Sequence, residues 1–426
     1  MRRRLPRAGA ALAPDRLLSA VVLAVWCLVA VLLPASPALA QHAAATRAIA
    51  TPPPATATPA AAAPTAAPPA LPGLGVAPDA ITVSGLSSGG YMAGQFHVAY
   101  SASLAGAAVL AGGPLGCSRG SMVLAMVECS CPAAAASPAG QVPVGLGPLA
   151  CRRPLPAALA ARADAAVQQN RAHLDDPRHL ARQRVYLMAG AQDPVVPPAL
   201  VAAQAEFYRR QGVRDEALRL RTVPGAAHGL PAPGGPVQCD VTAPPYLTNC
   251  PGVDAAGELL AWLYAPAPAT LAAPMAPRPA GLRAFDQRPY RARPRQDGLD
   301  DSGWLYVPAA CEQQGGCRLH VVFHGCQQGQ GFTGPDGRPV GRRFAEQSGY
   351  LRWAEANRIV LLFPQVRARD GLPGAPGYNP QGCWDFWGYT HATGALDGAL
   401  GPYLRREAPQ LRAVKAMVDA LKSRRP

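Results

Sequence analysis

Lysine is nearly missing. Only Lys415 and Lys422 occur in 426 residues, so 38 of the 40 basic side chains (40 − 2) are arginine. Aromatic residues are lean at 6%, while alanine, proline and glycine abound. The formal net charge of +14 is thus that of an Arg-rich, Ala-rich chain, a composition a GC-rich genome produces. No basic run carries interleaved aromatics, which excludes nucleic acid as a partner. No internal repeat is visible. Metal-ligand spacing is also absent: Cys129-Ser130-Cys131 is too tight for zinc and no histidine cluster accompanies it, so no metal is expected.

What is present begins at the N-terminus. Arg2, Arg3, Arg4 and Arg7 precede an almost wholly apolar segment, Leu17 to Leu33, and "PALA" ends at Ala40. This is the layout of a secretory signal peptide over residues 1–40, cleaved after Ala40. The apolar run is near the short end for a spanning helix, so cleavage is expected over retention, with no stable membrane association afterwards. Removing residues 1–40 takes away five arginines and Asp15, and the net charge falls from +14 to about +10. Of eleven cysteines, Cys27 lies in the signal peptide, leaving ten. An even count in an exported chain points to disulfides. The localisation expected is secreted or periplasmic. Residues 41–77, rich in Ala, Pro and Thr, are expected to be an extended linker, with one globular domain over 78–426.

Short apolar runs alternate with helical patterns across that domain. Strands are expected at Ile81–Ser84, Ala107–Leu110, Val185–Ala189, Leu218–Val223, Trp304–Val307, Leu319–Phe323 and Ile359–Phe363. Helices are expected at Ser88–Tyr100, Pro198–Gln211, Asp254–Tyr264, Phe344–Asn357 and Pro402–Lys422. The pattern is that of an α/β sheet, mostly parallel and flanked by helices.

The stretch "VSGLSSGGYM" (83–92) holds Gly85-Leu86-Ser87-Ser88-Gly89 between a strand and a helix. A nucleophile elbow needs a strand, a tight turn with serine at its tip and small flanking residues, then a helix at once. G-x-S-x-G by itself is weak, and a turn without chemistry reads the same way. Two more sites strengthen it. In "RVYLMAGAQDPVVPP" Asp193 follows a strand, and in "LRLRTVPGAAHGL" His228 follows the next. Ser, Asp, His in that order, each beyond a strand, is the α/β-hydrolase order. Ser87 is then the nucleophile, His228 its base, and Asp193 the acid that holds the imidazole tautomer.

The second oxyanion donor of such enzymes comes from a loop upstream of the nucleophile, often opening His-Gly. No room exists for it between Pro78 and Ser87. Yet "LHVVFHGCQQ" (319–328) is a strand ending in His324-Gly325-Cys326, followed by a helix and the strand "RIVLLFPQ". Circular permutation explains this order, the usual N-terminal half having moved to the C-terminus; two independent domains are the alternative.

Taken together, "VSGLSSGGYMAGQFHVAYS", "AGGPLGC", "GAQDPVVPP", "GAAHGLP", "LYVPAAC", "HVVFHGCQQ" and "NPQGCWDFWGY" resemble the secreted poly(3-hydroxybutyrate) depolymerases with a circularly permuted α/β-hydrolase fold, the fungal single-domain type among them. The resemblance runs in order from about residue 78 to the end. It implies a serine esterase acting on the polyester or its oligomers through an acyl-enzyme. It also implies the triad Ser87, Asp193 and His228, an oxyanion hole from the backbone N–H groups of Ser88 and Cys326, and substrate contacts at Asn379 and Trp384. The aromatic cluster Trp384, Phe386, Trp387 and Tyr389 could also hold a polymer surface. Cys326 and Cys383 adjoin the proposed site elements, and a bridge between them would pin the oxyanion loop beside Trp384. Cys239–Cys250 and Cys311–Cys317 are plausible short-range pairs, while Cys117, Cys129, Cys131 and Cys151 allow three connectivities. Many extracellular members carry a separate polymer-binding domain with no counterpart in this sequence, so amorphous polymer or soluble oligomers are compatible substrates. A feruloyl or acetylxylan esterase is the alternative activity, and a non-catalytic polymer-binding protein the alternative class. No cofactor is expected, and the chain is expected to be a monomer.

Overall fold

The chain divides into residues 1–64 and 65–426. A computed structural model describes residues 67–131, 154–264, 271–292, 294, 296–391 and 401–424. The expected signal peptide with its cleavage after Ala40, most of the expected linker, and Cys151 lie outside the described residues.

Eleven strands are present among the described residues: β1 (Ile81–Leu86), β2 (Gly106–Leu110), β3 (Arg184–Gly190), β4 (Leu218–Val223), β5 (Leu230–Pro231), β6 (Val237–Gln238), β7 (Leu247–Asn249), β8 (Leu282–Asp286), β9 (Ser302–Tyr306), β10 (Arg318–Phe323) and β11 (Ile359–Phe363). Eight form one sheet in the order β4-β3-β2-β1-β10-β11-β9-β8, and β5, β7 and β6 form a small second sheet. From β4 across to β11 every pairing is parallel, and β9 and β8 close the edge antiparallel. The contact that decides the topology is β1 with β10, Ile81 opposite Leu319 and Gly85 opposite Phe323. It welds the N-terminal and C-terminal strand sets into one sheet, so two independent domains are ruled out. Counted from Leu282, the main-sheet strands run 1-2-4-3-5-6-7-8 across it, with the elbow after the fifth; the α/β-hydrolase sheet is whole and its chain order permuted.

Among the described residues six helices of eight residues or more flank it: α1 (Ser88–Ala99), α2 (Pro156–Gln169), α3 (Pro198–Arg210), α4 (Ala255–Tyr264), α5 (Tyr350–Asn357) and α6 (Pro409–Lys422). Strand side chains alternate between faces, which gives two cores. Ile81, Val83, Ala107, Val109, Leu319 and Val321 meet Phe96, Ala163, Val201 and Val414 of α1, α2, α3 and α6. Ala108, Leu110, Val322 and Leu361 meet Leu259, Leu263, Leu351 and Ala354 of α4 and α5.

The seven expected strands are all present, and the differences have local causes. β8, "LRAFD", is an edge strand whose partly exposed Arg283 and Asp286 hide its pattern. The helix expected over Phe344–Asn357 breaks at Gly349, whose φ of 88° no right-handed helix accepts. Pro409 restarts the last helix after a short turn at Pro402–Leu404. The linker boundary at 77 also moves. Leu71, Leu74 and Val76 are buried, the N–H groups of Leu74 and Val76 donate to Leu421 O, and Ala77 N–H donates to Cys317 O at 2.9 Å. These residues are part of the globular unit.

Candidate active site

Ser87 stands between β1 and α1 with φ 57° and ψ −120°. That backbone is costly for a residue with a Cβ, and strained strand-to-helix turns of this kind are the geometry a nucleophile elbow requires. Its N–H donates to Leu110 O at 2.9 Å and its carbonyl accepts from Tyr91 N at 3.0 Å, so both neighbours hold the turn. The flanking glycines are a steric requirement. A Cβ on Gly85 would lie 2.1 Å from Gly89 O, and one on Gly89 would lie 2.3 Å from Phe323 O. Leu86 and Ser88 are buried, whereas Ser87 is partly exposed.

Ser87 follows β1, Asp193 follows β3, His228 follows β4 and Cys326 follows β10. These strands are parallel, so all four residues gather at the carboxyl edge of the sheet, where open α/β sheets bind ligands. His228 Nδ1 lies 2.8 Å from Asp193 Oδ2, both side chains being almost fully buried. Asp193 Oδ1 accepts the N–H groups of Val195 and Val196, each at 2.8 Å. The carboxylate therefore accepts three donors, and its orientation is fixed before the histidine arrives. Acting as an acceptor, it draws the imidazole proton to Nδ1 and leaves Nε2 basic. Among the described residues no hydrogen bond joins Ser87 Oγ to His228 Nε2; such bonds are often long in enzymes without substrate.

The His-Gly-Cys loop packs directly against the elbow, since a Cβ on Gly325 would lie 3.4 Å from Ser87 Cβ. His324 is buried; its Nδ1–H donates to Gly325 O at 2.7 Å and its Nε2 accepts Val366 N–H at 3.2 Å. Burial pushes its pKa down to about 4, so it is neutral and keeps these two roles. Holding the Gly325 carbonyl aims the N–H of the same planar peptide, that of Cys326, the opposite way. Among the described residues neither Ser88 N–H nor Cys326 N–H has a protein acceptor. Two backbone donors beside a serine at a helix start can stabilise an oxyanion.

The two expected substrate residues are both buried. Trp384 is 0% exposed and Asn379 1% exposed. Asn379 spends its amide internally: Nδ2 donates to Cys383 O and Tyr389 Oη, and Oδ1 accepts Cys383 N–H. Trp384 packs on Phe323 and His324 at ring separations of 4.9 and 5.7 Å, and its backbone N–H donates to Ser88 Oγ at 3.3 Å. Trp384 thus lies beside the His-Gly-Cys strand, and its indole N–H has no hydrogen-bond partner among the described residues. Phe386, Trp387 and Tyr389 are buried too, with Phe386 stacked on Tyr91 at 4.5 Å, so this cluster is core and not a polymer-holding surface.

The structure pairs Cys326 with Cys383, Cys239 with Cys250, Cys311 with Cys317, and Cys117 with Cys129. Cys131 is also disulfide-bonded. Such density marks a chain that folds in an oxidising compartment. Among the described residues no helix is long and apolar enough to cross a membrane.

Sequence reasoning missed His320, a β10 residue buried at the sheet centre. Its ring nitrogens meet Thr82 Oγ1 and Ser84 Oγ, each at 2.7 Å. Ser84 also meets Tyr350 Oη at 2.7 Å. Thr82 stands opposite His320 in register and Ser84 is two residues on along the same face of β1, a pattern that could have flagged them once β1 and β10 were paired. Tyr246 and Gln328 were likewise missed, because nothing local in a loop names its distant partner.

No family model matches the chain. A poly(3-hydroxybutyrate) depolymerase of Delftia acidovorans is 34% identical over 357 residues, 83% of this chain and 62% of that protein; the chain thus spans less than two thirds of that relative's length. A polyhydroxybutyrate depolymerase of Talaromyces funiculosus is 30% identical over 332 residues, 75% of this chain and 85% of that one. The crystal structure of a PHB depolymerase from Penicillium funiculosum matches with a TM-score of 0.66 at 27% identity, covering 83% of this chain and 98% of that one. A PHB depolymerase complexed with an R3HB trimer gives the same figures.

Proposed function

The chain belongs to the polyhydroxybutyrate depolymerase family, and on that premise we propose that it hydrolyses ester bonds of poly(3-hydroxybutyrate) or its oligomers at Ser87. The observation that carries the proposal is the buried His228–Asp193 pair at 2.8 Å at the sheet edge where the strained Ser87 stands. Ser87 Oγ attacks the ester carbonyl carbon while His228 Nε2 takes its proton. The carbonyl oxygen becomes an oxyanion between the N–H groups of Ser88 and Cys326. The C–O bond to the alcohol then breaks, and His228 returns the proton to the leaving hydroxyl. In the second half His228 deprotonates a water, which attacks the acyl carbon; the bond to Ser87 Oγ breaks, His228 returns the proton to that oxygen, and the hydroxy acid end is freed. Asp193 accepts the Nδ1 proton's hydrogen bond and balances the imidazolium. The triad and two N–H donors suffice for ester chemistry. The relatives' names and the complex with an R3HB trimer support the substrate class. The disulfides support an exported chain, and we place it in the periplasm or the medium after cleavage behind Ala40.

The test is product release from amorphous poly(3-hydroxybutyrate) by the purified chain, beside Ser87→Ala and a feruloyl ester. Hydroxybutyrate or its oligomers should appear and vanish in the variant. Cleavage of the feruloyl ester alone would retain the triad and remove the polyester assignment.

A further inference from the structure

Two non-glycine residues near the site hold left-handed backbone conformations, Tyr246 with φ 57° and Gln327 with φ 63°. Strain of this kind persists where surroundings over-determine it, and it clusters at working sites. Here the two strained residues touch each other: Tyr246 Oη donates to Gln327 Oε1 at 3.0 Å. Tyr246 belongs to the loop facing the histidine. Its ring stands edge-on to His228 at 6.1 Å, and its carbonyl accepts Leu230 N–H at 2.9 Å, two residues past His228. Gln327 directly follows Cys326.

A second contact runs beside the first. Gln328, fully buried, accepts Gly325 N–H with Oε1 at 2.6 Å and donates from Nε2 to Pro245 O at 2.7 Å. One amide therefore reads both loops, with a donor and an acceptor that cannot be exchanged. By capping Gly325 N–H it also leaves Cys326 N–H as the free donor of that turn. On the far side Gln327 is tied to Gln381, through its N–H to Gln381 O at 2.8 Å and its Nε2 to Gln381 Oε1 at 2.6 Å.

We propose that Tyr246, Gln327 and Gln328 form a bridge that fixes the loop carrying His228 against the loop carrying Cys326 N–H, and so act as positioning residues for ester hydrolysis. The inference rests on the reading of Ser87, His228 and Cys326 given above. Its physical basis is that base and oxyanion donor come from strands separated by β1, β2 and β3. No ladder pairs β4 with β10 directly, so the sheet sets the separation of the two strands only through four successive pairings, whereas the bridge ties the two loops beyond them. Loosening it displaces transition-state contacts while leaving ground-state binding alone, so kcat should fall without KM.

The experiment compares wild type, Ser87→Ala, Tyr246→Phe and Gln328→Glu on soluble p-nitrophenyl butyrate, with thermal melting of each. Tyr246→Phe removes one hydroxyl and should lower kcat about 3- to 10-fold. Gln328→Glu keeps the size but opposes Pro245 O with a carboxylate oxygen, and should lower kcat about 30- to 100-fold, the scale of a 1 Å misplacement. KM should stay within about twofold, since uniform binding is untouched. Should Gln328→Glu fail to fold, Tyr246→Phe carries the test. Folded variants with wild-type kcat, or with changes in KM alone, overturn the bridge while an active wild type and inactive Ser87→Ala leave the parent reading standing. An inactive, folded wild type overturns the parent reading and the bridge with it.

Discussion

Asp193→Asn should stop turnover while leaving the chain folded, for a reason the hydrogen bonds spell out. Oδ1 of Asp193 accepts two backbone N–H groups, those of Val195 and Val196. An asparagine must put its oxygen there, since an NH2 group in that place would set donor against two donors. Its Nδ2 then faces His228 Nδ1, at the 2.8 Å spacing the carboxylate occupied. Imidazole can meet a donor at Nδ1 only by carrying its proton on Nε2, which is the nitrogen that must accept from Ser87. The wrong tautomer is locked in by the backbone. In the worked serine-protease case this substitution costs about 10⁴ in kcat, equivalent to about 5.4 kcal/mol of barrier. Stability should change little: volume is conserved, and trading a charge-assisted bond for a neutral one costs about 1–2 kcal/mol. The assay is the initial rate on p-nitrophenyl butyrate and on amorphous poly(3-hydroxybutyrate), with circular dichroism melting in parallel. A folded Asp193→Asn retaining more than about a tenth of wild-type kcat, against the 10⁴ expected, would refute the tautomer argument.

Acid should destabilise the fold from near neutrality downward. Burial lowers the pKa of His97, His320 and His324 to about 4, 3 and 4, against about 6.5 unfolded. Between those values the unfolded chain binds protons the native one refuses, so stability falls as pH falls from about 6.5 toward 4, by up to about 1.4 kcal/mol per pH unit for each histidine; urea midpoints that stay flat from pH 7 to 5 would contradict it. Cys383→Ser opens a disulfide closing 57 residues and should cost about 4 kcal/mol by loop entropy, together with kcat, as Cys326 loses its tether. An unchanged melting temperature in that variant counts against the estimate. Gly89→Ala should be destabilising by about 1–3 kcal/mol or more, because its Cβ would press on Phe323 O and His324 O at 2.3 and 2.4 Å; a calorimetric scan matching wild type would show that α1 can shift freely.

The sequence by itself determined the features that are local. A strand, a glycine-bounded serine and a helix in direct succession produce the elbow because the turn admits no Cβ at Gly85 or Gly89. The pairing of Asp193 with His228 was legible because each follows a strand-like run, and chain order combined with parallel strands sends both to one edge. The permutation was legible from a misplaced His-Gly-Cys strand. Residues whose roles depend on remote partners were not legible. The burial of Trp384 and Asn379 is one case: packing on β10 and the Cys326–Cys383 bridge put them inside, which their motif does not announce. Leu71, Leu74 and Val76 read as linker until α6 and the Cys311–Cys317 turn offered them a surface to cover. Tyr246 and Gln328 carry no local signal at all, since their meaning lies in hydrogen bonds across more than eighty residues of chain. Local sterics and side-chain alternation act over a few residues and can be read along the chain. Burial and long-range pairing depend on what the folded sheet brings together, and only the tertiary structure decided them.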